Sequence, residues 1–183
     1  MLSVKLRGQN VATFRFIAVR LMETLAAWVP TTPEMEAKLL FGEHIWDCAQ
    51  HADAFGKRTH ELRLPLQHSM KPREDYVGFL GRLASLGPTV ERIAGFYRVA
   101  LPRLGARLRL YLGETDALMD APTVRIIERI FADQARMIRQ SEELLAEFPA
   151  LRQTDERWVR DFAAEESAIG AILAAEAQAG AHA

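Results

Sequence analysis

Apolar residues recur at helical spacing along almost the whole chain, and this pattern limits the fold more than any other feature. Strict alternation of apolar and polar residues, which marks half-buried strands, is absent, as are Asn-Gly and Asp-Gly hairpin turns. The sequence therefore predicts an all-α protein. Its 183 residues are enough to bury a sizeable single core, so we expect one domain over residues 1–183.

The composition excludes several classes of protein. With 49% hydrophobic and 26% charged residues, the chain is neither disordered nor collagen-like, and its single cysteine, Cys48, rules out an intrachain disulfide scaffold. No apolar run reaches the roughly 18–20 residues that cross a bilayer, and the first residues lack the apolar core of a signal peptide. We expect a cytoplasmic location and no membrane partner, and a buried structural role for Cys48.

Proline, glycine and capping signals divide the pattern into helices. Thr31-Thr32-Pro33-Glu34 is typical of a helix start, with a hydroxyl N-cap followed by proline, and Pro102 is expected to kink the helix that contains it. The long helices are predicted at residues 10–28, 31–63, 87–112, 120–148 and 154–178. Between the second and the third, prolines and glycines predict a long crossover, residues 64–87, with one short helix near residues 73–86.

These helices predict a four-helix bundle with one crossover, over about residues 10–148, and an additional C-terminal helix at about residues 154–178. The net charge of −1 conceals an uneven distribution, since residues 54–113 carry +7 and residues 114–183 carry −7. We expect these two portions to lie side by side or to meet across a homodimer. The arginines of the third helix divide between two faces, so a nucleic-acid partner is not expected.

The second helix carries polar residues on a face that should point into the bundle. At 100° per residue, His44, Asp47 and His51 fall within about 60° of one another, with Glu36 and Glu43 at the edge of the same face. Burial of such groups is costly unless they are paired. Two interpretations follow: a network that holds the helices in register, with Arg20 or Arg129 as counter-charges, or a site for a metal or ligand.

Spacing limits the metal interpretation. His44 and His51 lie about 10.5 Å apart along the helix axis, too far for both to bind one ion with ease, whereas Asp47 could act with either of them. Other helices must then supply the remaining ligands, and Glu23 and Glu128 are the best placed, with Asp133 and Gln134 as further candidates. The predicted metal ligands are Glu23, Glu43, His44, Asp47, His51 and Glu128.

The pairing of Glu43-His44-Ile45-Trp46 with Glu128-Arg129-Ile130-Phe131, together with the helix order and the crossover, resembles the two helix hairpins of the ferritin-like superfamily over about residues 10–148. The resemblance implies a ferritin-like bundle, in which Glu43 and Glu128 correspond to the glutamates of two Glu-x-x-His motifs that hold a di-iron or di-manganese centre. Trp46 and Phe131 stand where the motif histidines would be, so an ordinary di-iron centre is not expected.

Three hypotheses follow for the function. The first is a ferritin-like bundle with a modified interior polar site, which binds a small molecule or acts as an accessory protein. The second is an iron- or manganese-dependent oxidase or oxygenase of the ferritin-like kind that uses the six predicted ligands. The third is a structural module that dimerises through the apolar side of the C-terminal helix, which carries Phe162, Ile169 and Leu173; that helix could instead cover its own bundle.

Overall fold

The computed structural model describes residues 2–173, and within them it has helices and no strand, which confirms the all-α prediction. The α-helices are α1 (Val4–Trp28), α2 (Met35–Glu61), α3 (Glu74–Ala84), α4 (Thr89–Ile93), α5 (Leu101–Glu114), α6 (Ala121–Glu147) and α7 (Glu156–Ala168). A π-helical segment (Ala94–Ala100) joins α4 to α5 without a break. We call this continuous helix, residues 89–114, the third rod.

Side-chain caps explain why two helix boundaries differ from prediction. The hydroxyl of Ser3 accepts a hydrogen bond from the backbone N–H of Leu6 at 3.2 Å, so α1 begins at Val4 and not at residue 10. The hydroxyl of Thr32 donates to the carbonyl of Trp28 at 2.8 Å and thus completes the end of α1. Thr32 is therefore not the N-cap of α2, which is Glu34.

The predicted crossover is present and lies across α1 and α2. The backbone N–H of Met70 donates to the carbonyl of Ala12 at 3.0 Å, and the Gln67 side-chain carbonyl accepts from Arg15 at 2.9 Å. Gln67 approaches α2 so closely that a Cβ on Gly56 would lie 2.0 Å from its side-chain oxygen. A side chain at position 56 would therefore push the Gln67 amide away from its hydrogen bonds with Arg15 and Asp53.

The third rod widens just before Pro102. Proline lacks an N–H and its ring crowds the preceding turn, which predicted a kink at that residue. The backbone instead adopts the π-helical segment, in which the N–H of Leu101 donates to the carbonyl of Phe96, five residues earlier. The segment is buried along most of its length, with Tyr97 and Phe96 at 1% and 0% exposure.

Aromatic contacts fix the direction of α1 against the third rod. The Trp28 ring, at the end of α1, lies 6.2 Å from that of Phe96, and Phe14, near the start, lies 5.6 Å from Tyr111. Late residues of one helix thus meet early residues of the other, so the two run antiparallel. The same aromatic rings form the centre of a continuous apolar core.

The direction of α2 follows in the same way. His51 contacts Asp133, and Arg58, about two turns later, contacts Thr123, so α2 and α6 run antiparallel. Because Phe41 near the start of α2 stacks on Tyr97 near the start of the third rod, α2 and the third rod run parallel. The long helices therefore run up, down, down and up, with the crossover joining the two that run down.

The C-terminal helix α7 packs on its own bundle. Phe162 is 7% exposed, and its ring lies 5.0 Å from that of Phe79 on α3. The prediction that this helix extends to residue 178 is wrong for residues 169–173, because α7 ends at Ala168; residues 174–178 lie outside the described part. Of the residues proposed for docking, Phe162 and Leu173 are buried against this chain, and Ile169 is partly buried.

The basic and acidic portions meet within the chain, as predicted. Arg82 pairs with Glu165, Arg98 pairs with Glu156 at 2.6 Å, and Arg107 pairs with Glu166 at 2.6 Å. All three pairs join the middle of the chain to α7. Over residues 2–173, no helix combines the length and the apolar character that crossing a membrane requires.

Candidate functional site

A group of polar side chains fills the interface between α2, α6 and the third rod. We call it the polar cluster. Its members are Glu43, His44, Asp47 and His51 on α2, Asp133, Arg136 and Gln140 on α6, and Tyr97 on the third rod.

Arg136 is at the centre of the polar cluster. Its guanidinium donates to both carboxylate oxygens of Asp47, at 2.7 and 3.2 Å, and to Asp133 at 3.1 Å, and it lies 3.8 Å from a carboxylate oxygen of Glu43. Hydrogen bonds to Asp47 and Asp133 raise the pKa of Arg136 further above its ordinary value. One permanently charged group therefore compensates several carboxylates from two helices.

His44 is fully buried, with a partner for each ring nitrogen. Nδ1 lies 2.7 Å from the hydroxyl of Tyr97, and Nε2 lies 3.0 Å from the side-chain oxygen of Gln140. Gln140 directs its amide nitrogen to Glu43 at 2.8 Å, so its oxygen faces His44 and can only accept. His44 therefore donates from Nε2 and accepts from Tyr97 at Nδ1, which is the arrangement of a neutral imidazole.

Burial lowers the pKa of His44, although the hydrogen bond to Gln140 and the charges of Asp47 and Glu43 act in the opposite direction. Burial also raises the pKa of Tyr97 well above its ordinary value. Both groups are thus held in their neutral forms near pH 7.

His51 and Asp133 form a second pair, about two turns along α2 from His44. His51 Nε2 lies 3.0 Å from a carboxylate oxygen of Asp133, and the histidine is 7% exposed. Burial lowers the pKa of His51 against the opposing effect of Asp133. Burial would raise the pKa of Asp133, but hydrogen bonds from His51 and Arg136 bring it below its ordinary value.

The six residues predicted as metal ligands do not converge. Glu23 lies on the exposed side of α1 and pairs with Arg20 at 2.8 Å, and Glu128 lies on the exposed face of α6. The other four, Glu43, His44, Asp47 and His51, belong to the polar cluster. Within residues 2–173, no group of three or more His, Cys, Asp or Glu side chains is arranged to hold an ion.

The donor set of the polar cluster does not fit an iron or manganese centre. Such a centre needs several carboxylates whose charge is available to the metal. Here the oxygens of Asp47 and Asp133 accept from Arg136, and both nitrogens of His44 are engaged. The guanidinium of Arg136 compensates these carboxylates, so their position between the helices does not require a metal ion.

Sequence reasoning missed Arg136 and Gln140, and it named Asp133 only as a metal candidate. The spacing did carry a signal. His44 contacts Gln140, Asp47 contacts Arg136 and His51 contacts Asp133, so the residue numbers fall along α6 as they rise along α2, as in any antiparallel pair. Arg129, which was named as a counter-charge, lies two turns from Arg136 on the same helix. Cys48 is buried as predicted, and burial raises the pKa of its thiol.

Two cavities adjoin the polar cluster. Cavity A, about 300 Å³, reaches Tyr97. Cavity B, about 180 Å³, reaches His51. Residues lining cavity A are Val90, Ile93, Ala94, Tyr97, Arg98, Ile138, Ser141, Glu142, Leu145, Leu151, Arg152, Thr154 and Glu156. Residues lining cavity B are Gln50, His51, Ala54, Arg125, Ile126, Arg129 and Ile130.

We expect the free energy of unfolding to fall as the pH falls below about 6.5, the pKa of histidine in an unfolded chain. Below that pH the unfolded chain binds protons that buried His44 and His51 resist, since their pKa values in the fold are lowered. Urea denaturation between pH 7.5 and 5 measures this slope, well above the carboxylate range near pH 4.

In that series, His44→Gln should reduce the slope, whereas the exposed His60→Gln should leave it unchanged. A His44→Gln variant with the wild-type slope would contradict the neutral state assigned to His44.

Neither a protein-family model, nor a curated protein, nor a solved structure matches the chain.

Proposed function

We propose that this protein is a ferritin-like helical bundle that binds a small apolar molecule in cavity A, as a binding or accessory protein without an ordinary di-iron centre. The up, down, down, up order of the long helices and the single crossover support a ferritin-like arrangement. The relation to that superfamily is part of the proposal.

The observation that carries the proposal is the position of Arg136 between Asp47 and Asp133. A cation supplied by the protein stabilises the carboxylates that a metal would otherwise bind. The bundle therefore holds acidic side chains in its interior, and Arg136 compensates their charge without a metal ion.

Cavity A supplies the volume for a ligand. Its walls are mainly apolar, from Ile93 and Ala94 on the third rod and Ile138 and Leu145 on α6, and the phenol of Tyr97 is its link to the polar cluster. A volume of about 300 Å³ lies at the lower end of small-molecule sites. The π-helical segment forms one wall, and such segments are frequent at functional sites.

A neutral aromatic probe tests cavity A. Titration of ¹⁵N-labelled protein with indole should shift amide resonances of Ala94, Tyr97 and Ser141, which line the cavity. Leu145→Trp, which fills the cavity, should abolish the shifts, and Val90→Trp should do so from the opposite wall. Leu118→Trp, at a position 85% exposed and away from both cavities, is the matched control.

Indole shifts that persist in both blocked variants, or that map elsewhere, would contradict ligand binding in cavity A. Elemental analysis of the same preparation, purified without added metal, should find substoichiometric iron and manganese. Near-stoichiometric metal that is lost on combined Glu43→Ala and Glu128→Ala replacement would favour the oxidase or oxygenase hypothesis instead.

A further inference from the structure

Cavity B is smaller than cavity A and differs from it in charge. Arg125 and Arg129 lie one turn apart on α6 and both line it. Neither forms an ion pair with any residue between 2 and 173, in contrast to the fully engaged Arg136. Like charges at this spacing repel one another, so an anion placed between them would be stabilised by both.

His51 supplies a third polar group at the cavity. Its Nε2 is engaged by Asp133, and Nδ1 has no hydrogen-bond partner among the described residues. Because Asp133 can only accept when ionised, Nε2 carries the hydrogen. Burial lowers the pKa of His51, so this side chain is a neutral polar wall of the cavity, and the charge that favours an anion comes from the two arginines.

The remaining walls are apolar. Ile126 and Ile130 come from α6 and Ala54 from α2, and the aliphatic portions of the arginines extend this surface. A volume of about 180 Å³ accommodates a ring or branched chain in addition to a charged group. An inorganic anion would leave these apolar walls without a partner.

We propose that cavity B is a second binding site, for a small monocarboxylate with an apolar body of about the size of benzoate. The carboxylate lies between the guanidinium groups of Arg125 and Arg129, and the apolar body packs against Ile126 and Ile130. This site goes beyond the proposed function, because its cavity and its ligand class differ from those of cavity A.

The experiment is a titration of ¹⁵N-labelled protein with benzoate, in the wild type and in the Leu145→Trp variant that blocks cavity A. Benzoate should shift the amides of Gln50, His51, Ala54 and Ile126 in both proteins. Combined Arg125→Gln and Arg129→Gln replacement should weaken binding at least about tenfold, the effect of lost hydrogen bonds to a charged group. Combined Arg157→Gln and Arg160→Gln replacement, on the exposed side of α7, should not.

If benzyl alcohol binds as tightly as benzoate, or inorganic phosphate binds more tightly, the carboxylate site is wrong. Loss of indole binding alone would overturn cavity A and leave cavity B intact.

Discussion

Asp120→Ala is expected to lower the free energy of unfolding by about 3–5 kcal/mol, because it removes one partner of a buried ion pair. Asp120 is fully buried at the start of α6 and accepts from Arg58 at 2.8 Å, Tyr111 at 2.5 Å, Thr123 at 2.6 Å and Thr115 at 3.0 Å. Alanine would leave the Arg58 guanidinium buried without its main counter-charge. Urea denaturation at pH 7, followed by circular dichroism, measures the loss.

Two further variants make this result specific to the buried charge. Asp120→Asn keeps an acceptor for the hydroxyls but removes the charge, and should cost less than alanine. Asp161→Ala, on the exposed face of α7, should change the free energy of unfolding by no more than about 0.5 kcal/mol. An Asp120→Ala variant within 1 kcal/mol of wild type would show that Arg58 finds other compensation.

Arg107→Ala is expected to cost about 3 kcal/mol or more and to release α7 from the bundle. The Arg107 guanidinium donates to the buried carboxylate of Glu166 at 2.6 Å and to the carbonyls of Ile169 and Gly170 at 3.0 and 2.9 Å. It also lies 4.9 Å from the centre of the Tyr76 ring. One side chain thus pairs a buried acid and caps the end of α7.

Hydrogen exchange should detect the release of α7, with amides of residues 159–168 exchanging faster than those of α1 in the variant. Arg107→Lys should recover only part of the loss, since an ammonium cannot reach the acid and both carbonyls at once. Arg160→Ala, on the exposed face of α7, is the control. Uniformly faster exchange in every helix would contradict a local role.

The limits of sequence reasoning are visible at the polar cluster. His44, Asp47 and His51 were predicted because polar groups on the apolar side of one helix can be seen within a single segment. Asp133 was named only as a metal candidate, and Arg136 and Gln140 were not predicted, because they lie on a helix rich in exposed charges. To predict that the counter-charge of Asp47 is Arg136 and not Arg129, one must know how far α2 is shifted along α6. The packing of the whole core sets that shift, and it cannot be seen in a single segment.

The end of α7 shows a second limit. Apolar spacing through Ile169 and Leu173 favoured a helix to residue 178, and local propensity contains nothing that stops it at Ala168 apart from Gly170. Just beyond this end, Arg107, about 60 residues earlier in the chain, donates to the carbonyls of Ile169 and Gly170, a contact that no local pattern reveals. By contrast, the crossover was predictable, because its prolines and glycines act locally.

The π-helical segment has a consequence for everything that follows it in the third rod. A π-helical turn accommodates an additional residue, and each residue of an ordinary α-helix turns the chain by about 100°. Because the wide turn absorbs that residue, deletion of one residue between Ala94 and Ala100 would convert it to an ordinary α-helical turn and leave the orientation of α5 nearly unchanged. Arg107 would still face Glu166, and Tyr111 would still face Asp120. The same deletion within α5, before Arg107, has no wide turn to absorb it and would rotate both side chains away from their partners by about 100°.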